Sequence, residues 1–168
     1  MEILSIVDIW KYLSWLPKFI LKRVFSPERL SDLIYLDVQS RHSPVCADLS
    51  DISDYRISFL VINMSPFDVE LDRAEIGFNC AGITLKTQYI KKTLFKAGQV
   101  GTLFVVDEIS QNRAEQIAKL YDKNDSRISF HGEFNCDLHN FTKVIHQLEG
   151  VNVKYTNAEW RRKQLEVA

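Results

Sequence analysis

Glycine and proline are scarce in this chain of 168 residues, at 6 and 4. That scarcity excludes collagen-like and low-complexity architectures, and a charged content of 26% is ordinary for a folded protein. Neither sign of charge is in excess. A formal net charge of −1 gives no global reason to bind nucleic acid, whose affinity depends on many phosphate contacts by Lys and Arg. Any basic partner surface must be local, and no nucleic-acid partner is expected. Cysteine is limited to Cys46, Cys80 and Cys136. These form neither a Cys-x-x-Cys pair nor an even framework, so they read as small apolar residues in a reducing compartment. One bridge between Cys80 and Cys136 stays open, because both fall in predicted strands.

Long hydrophobic runs are missing as well. Lys11, Lys18, Lys22 and Arg23 interrupt the N-terminal apolar stretch before twenty apolar residues accumulate, which excludes a helical bilayer span there. Glu2 and Asp8 stand where a secretory signal needs Lys or Arg, and no small-x-small site follows. No acylation or prenylation pattern is present. The expected location is cytoplasmic, at a membrane surface or free of it.

What is present is enough apolar material, 46% of residues, for one ordinary core. The expected organisation is an amphipathic helical segment over 1–32, a sandwich domain over 33–156 and a polar tail over 157–168. Residues 3–25 place Ile6, Ile9, Trp10, Leu13, Leu16, Ile20, Leu21 and Val24 on one side of a helix. Asp8, Lys11, Ser14, Lys18 and Lys22 lie opposite, and Trp15 and Phe19 fall on or beside the polar arc. Pro17 removes one helical hydrogen bond and predicts a kink or a break. Ser26-Pro27-Glu28, a capping residue, a first-turn proline and an acidic first turn, opens a second short helix ending near Asp32.

From Leu33 the period changes to two. Strands are predicted over Leu33–Gln39, Tyr55–Asn63, Phe67–Cys80, Ile83–Tyr89, Val100–Val106, Ile128–Leu138 and Thr142–Tyr155, the last with a break at Glu149-Gly150. A polar connection is expected over 40–54. The apolar phase slips at Asp72-Arg73, the sequence trace of a bulge or of a crossing between sheets. Phe59 and Phe104 are assigned to the core. Ser110 caps one short helix through Ala114, Ile117, Ala118 and Tyr121. The pattern predicts a mainly β chain: an antiparallel β-sandwich, immunoglobulin-like or fibronectin type III-like, with an N-terminal amphipathic helix and one short helix between late strands.

The stretch from Phe59 through Asn63, Pro66 and Phe67 to Leu71, followed by a strand, Gly82, a second strand and Ala97-Gly98, resembles the LEA type 2 (water-stress and hypersensitive response) β-sandwich. Met64 stands where that family carries its first proline. The resemblance covers residues 33 to 155. It implies an immunoglobulin-like fold, no catalytic residues and frequent placement beside a membrane anchor.

No catalytic or metal constellation emerges. Cys136, Asp137, His139 and His146 match no zinc spacing. His42 and His131 have no strained nucleophile turn to serve. The glycines are dispersed, so no phosphate-cradling loop forms. Asp68, Glu70, Asp72 and Glu75 raise a calcium question, but they alternate with Val69 and Leu71 as a solvated sheet face does. Lys86, Lys91, Lys92 and Lys96 read as a charged strand end that discourages edge pairing. Arg161-Arg162-Lys163 beside Trp160 is a small basic cluster in the tail.

The N-terminal stripe is the feature with functional content. Trp10, Leu13, Trp15, Lys11, Lys18, Lys22 and Arg23 suit the headgroup boundary of a membrane. They equally suit a helix that packs on the sandwich or on a partner chain. Two functions are therefore expected as alternatives. One is a non-enzymatic accessory protein, peripheral to a membrane and presenting the sandwich for protein or lipid contacts. The other is a soluble structural or regulatory subunit whose helix docks on a partner chain. No cofactor is expected in either case.

Overall fold

The computed structural model describes residues 16–38, 45–122, 126–148 and 151–167. Within them Pro17 is extended, with φ of −55° and ψ of 138°, and helix α1 (Lys18–Val24) starts immediately after it; the part of the expected helix over 3–15 lies outside the described residues. Helix α2 (Pro27–Asp32) opens as its cap chemistry dictates, with the Ser26 side chain accepting the Arg29 N–H at 3.4 Å.

Ten strands then form two sheets. Sheet A holds β1 (Ile34–Val38), β2 (Val45–Asp48), β3 (Asp54–Asn63), β7 (Val100–Glu108) and β10 (Val153–Thr156). Sheet B holds β4 (Val69–Cys80), β5 (Ile83–Tyr89), β6 (Thr93–Phe95), β8 (Arg127–Asn135) and β9 (Asn140–Leu148). Every pairing is antiparallel except β10 on β2, which is parallel. In sheet A, β3 carries β7 along one side and shares its other side between β1 and β2. Helices α3 (Gln111–Leu120) and α4 (Ala158–Val167) pack on each other.

The inner faces of the two sheets share one core. Phe59 of β3 meets Phe130 of β8 with ring centroids 5.6 Å apart, and Tyr55 meets Phe78 at 5.4 Å. Leu21, Phe25 and Leu30 from the first two helices, and Ala158 from α4, belong to the same buried cluster. A polar bridge of side chains crosses between the sheets: the Tyr55 hydroxyl bonds Thr87 Oγ1, which donates to Asp107 Oδ2. A hydroxyl carries one hydrogen, and Thr87 spends its own on the carboxylate, so Tyr55 is the donor of the first bond.

Several expectations hold, and the slip at Asp72-Arg73 is a bulge within the single strand β4. The hairpin β4–β5 turns at Ala81 and Gly82, both at positive φ (52° and 77°), the two-residue turn whose twist matches its strands. Strand β7 corrects the sequence reading. Phe104 was placed in the core, yet it is 66% exposed, while Leu103 and Val105 are buried. Both phases of this strand are apolar, and the odd one turns inward because Gly101 leaves room for the Phe95 ring. A Cβ at Gly101 would stand 2.7 Å from Phe95 Cδ1. The connection over 40–54 also contains a strand, β2, and the run expected over Thr142–Tyr155 is two strands in different sheets.

Candidate interaction surface around helix α1

Four of the predicted contact residues, Trp10, Lys11, Leu13 and Trp15, lie outside the described residues. The other three, Lys18, Lys22 and Arg23, stand exposed on α1. This helix has two different faces. Its inner face is committed to the sandwich: Leu21 and Phe25 are buried, and Leu16 and Ile20 half-buried. The Phe25 ring stands edge-on to Phe67 at 5.2 Å, in the loop that follows β3. The Lys22 carbonyl meets His139 Nε2 at 3.2 Å; a carbonyl only accepts, so this nitrogen carries the proton.

The outer face is open. Phe19, expected to be partly wet, is 73% exposed. Lys22 and Arg23 follow it at helical offsets of three and four, and Lys18 adjoins it, so cations surround an exposed aromatic ring. Among the described residues none of the three takes part in an ion pair. The helix has no acidic residue in its first turn. Beside it, Val24, Phe25 and Leu33 line an apolar cleft of about 240 Å³, with Arg29 and Asp32 at its walls. The Arg29 guanidinium donates to the Val24 carbonyl at 2.9 Å, tying α2 to the end of α1.

Other sequence candidates resolve as structure. Lys92 pairs with Glu70 at 3.2 Å and with Asp72 at 3.3 Å, Lys86 pairs with Glu75 at 3.7 Å, and Asp68 Oδ1 accepts the Ala97 N–H at 2.9 Å. The carboxylates of the calcium question thus have partners of their own. Cys136 and His139 close the β8–β9 turn, with Cys136 Sγ donating to the His139 carbonyl at 3.3 Å. Among the described residues no three His, Cys, Asp or Glu side chains converge on a metal position. The three cysteines are free thiols, and burial pushes Cys80 up to about 12. Shallow depressions of mixed polar and apolar lining, about 190 and 300 Å³, lie on the outer face of sheet B and share Glu75 and His131.

The basic cluster of the tail is part of the fold. Arg161 is only 6% exposed and donates from Nη2 to the Ser50 carbonyl at 2.9 Å. Arg162 lies 4.8 Å from the Tyr121 ring centre and bonds the Ala118 and Lys119 carbonyls at the end of α3.

The sequence reading did not foresee the second apolar surface of the molecule. On the outward face of sheet A, Tyr35, Ile62 and Val100 stand in one cross-strand row, Leu60 and Thr102 in the next, then Phe104 and Val106. Val100 and Val106 are 63% and 61% exposed. The signal was available in the sequence, because β7 is apolar in both phases.

No family model and no curated protein matches the chain. Among solved structures it is similar to a Northeast Structural Genomics Consortium target, at TM-score 0.48 and 12% identity over 70% of this chain and 84% of that one. It is similar to a protein from Archaeoglobus fulgidus, at TM-score 0.41 and 7% identity over 69% and 94%. It is also similar to a solution structure described as a late embryogenesis abundant (LEA) protein, at TM-score 0.43 and 12% identity over 86% and 89%. All three scores lie below 0.5, and the fold assignment stands on the strand pairings given above. Among the described residues no helix is long and apolar enough to cross a membrane.

Proposed function

We propose that the chain is a non-enzymatic accessory protein, peripheral to a membrane through its N-terminal segment and α1, with the sandwich free for protein or lipid contacts. The observation that carries this reading is the outer face of α1, where the exposed Phe19 ring is set among three cations that take part in no ion pair among the described residues. An aromatic ring ringed by Lys and Arg combines apolar burial with attraction to anionic headgroups. The inner face of the same helix is docked on the sandwich, so the cations are held on a rigid element. The finer fold reading is immunoglobulin-like and akin to LEA type 2. It is supported by Asn63, whose amide donates to the Phe67 and Phe95 carbonyls and whose oxygen accepts from Ser65, organising the turn that carries the motif.

The test is co-sedimentation with vesicles rich in anionic lipid, at low and moderate salt. Wild type is expected to pellet, and the double variant Lys18→Glu, Lys22→Glu to stay in the supernatant with its fold intact. The expected loss follows from about 1 kcal/mol per cation near a charged surface. Equal binding by both proteins, or by neither, removes the membrane reading and leaves the assembly-subunit alternative in front.

A further inference from the structure

We infer that the apolar cleft between α1, α2 and the start of β1 holds one acyl chain of an anionic phospholipid, with Arg29 and the last-turn cations of α1 meeting its phosphate at the rim. The inference rests on the membrane reading and deepens it, naming the lipid class and the place where a single lipid is held.

Three consecutive elements build the cleft. Val24 ends α1, Phe25 is its C-cap, and Leu33 caps α2 immediately before β1. These three turn hydrocarbon to a space of about 240 Å³, and only Arg29 and Asp32 bring charge to its walls. That volume falls short of the roughly 300–1,000 Å³ that sites for whole small molecules reach. It fits part of a ligand, and an apolar part. The space is also held open. The Arg29 guanidinium reaches from α2 to the Val24 carbonyl at 2.9 Å, and the Phe25 ring is fixed edge-on against Phe67 at 5.2 Å.

Charge decides the class of head group. Arg29 spends one of its N–H groups on the Val24 carbonyl and enters no ion pair among the described residues. Lys22 and Arg23 occupy the last turn of α1, the turn that ends at the cleft, and neither is in an ion pair among the described residues. Asp32 is the opposing carboxylate on the cleft wall. Three cations against that carboxylate favour an anionic head, and a guanidinium fork matches phosphate oxygens in geometry. The chain lies on hydrocarbon while the head stays in water, the division that a lipid at a headgroup boundary requires.

The test uses the full chain without vesicles, and monomeric alkyl phosphates from butyl to dodecyl as probes, titrated by calorimetry below their micelle concentrations. Each methylene that enters the cleft is expected to raise affinity about fourfold. The rise is expected to stop once the cleft is full, at one alkyl phosphate per chain. Alkyl glucosides of the same lengths are expected to bind about tenfold more weakly, the loss of a charge-assisted hydrogen bond. Val24→Trp, at a position 43% exposed, fills the cleft. It is expected to lose about tenfold or more in affinity for octyl phosphate while pelleting with anionic vesicles like wild type, since Phe19, Lys18 and Lys22 are untouched. Asp32→Asn removes a like charge and is expected to strengthen binding roughly two- to fivefold, a gain that no unfolded variant would show. An affinity that keeps rising with chain length, equal binding of the glucosides, or equal binding by Val24→Trp would overturn the inference. Wild type that pellets with vesicles but binds no alkyl phosphate would overturn it too, and leave the membrane reading standing. Wild type that binds alkyl phosphate but ignores vesicles would overturn the bilayer as the source of the lipid, and the membrane reading with it.

Discussion

The two outer faces of this sandwich face solvent in different ways. On sheet B a cluster of outward residues is charged and matched: Glu70 and Asp72 share Lys92, Arg73 meets Glu133 at 2.8 Å, and Glu75 meets Lys86, while Leu94 and Val144 stand exposed among them. Its far edge, β9, is sealed by α2, where Ser31 Oγ donates to the Thr142 carbonyl at 2.8 Å and Lys143 donates to the Ser31 carbonyl at 2.9 Å. On sheet A the outward positions of β7 are Val100, Thr102, Phe104 and Val106, at an edge that carries neither lysine nor proline. The difference teaches that the centre of one face is matched in charge for water, while the edge strand of the other presents a row of apolar side chains. Surface ion pairs contribute little to stability, so what the sheet B charges supply is solubility and a guarded edge.

The comparison is broken most forcefully by moving from face to core on adjacent strands. Phe59 and Leu103 are paired across β3 and β7, and both point inward. Phe59→Ala is expected to cost about 3–5 kcal/mol, as truncating a buried phenylalanine does. Chemical denaturation would measure it, and a loss under about 1 kcal/mol would place the ring outside the core. Next in size is the bridge between the sheets. Thr87→Val keeps the shape but strands the buried Tyr55 hydroxyl, at an expected cost of about 1–3 kcal/mol. A neutral result would mean that water replaces the threonine.

Alkaline pH probes the same interior. Burial raises the Cys80 thiol from 9 to about 12, and burial, then the Asp107 carboxylate against the opposing Thr87 bond, raises the Tyr55 phenol above its ordinary value. Both groups lose a proton more readily when unfolded, so their contribution is complete below pH 9 and is lost as pH rises toward 12. Denaturation midpoints should therefore be flat to pH 9 and then fall. Cys80 should also resist alkylation at pH 8 in the native protein while the half-buried Cys46 and Cys136 react. The smallest effect belongs to Phe104→Ala, within about 0.5 kcal/mol as expected for an exposed position. A cost of several kcal/mol there would show that the outer strip is packed as tightly as a core.

Much of this was legible in the sequence. The change of period at Leu33, the capping signal at Ser26-Pro27-Glu28 and the phase slip at Asp72-Arg73 each gave an element or a bulge where the structure has one. Short strands were not legible, since the four residues of β2 and three of β6 are too few to show a period. Nor was the orientation of β7, where Val100, Phe104 and Val106 outweighed Leu103 and Val105 in the sequence. What decides it is the fit of Phe95 against Gly101, a contact between different strands. The tail misled for a similar reason: Arg161 reads as a surface cation, but the backbone carbonyl of Ser50 draws it inside. Of the candidate surface, Lys18, Lys22 and Arg23 were found from charge spacing, and Phe19 was foreseen as wet without being given a role.

Two phenylalanines of similar exposure now separate the two apolar surfaces, Phe19 at 73% on α1 and Phe104 at 66% on β7. Burying one such side chain contributes about 1.5–3 kcal/mol, roughly a ten- to hundredfold change in affinity. The most direct measurement is the binding of Phe19→Ala and Phe104→Ala to anionic vesicles, beside wild type, at fixed salt. The membrane reading predicts that Phe19→Ala loses at least tenfold in affinity while Phe104→Ala binds as well as wild type or better. Equal losses for both, or a loss confined to Phe104→Ala, would contradict it.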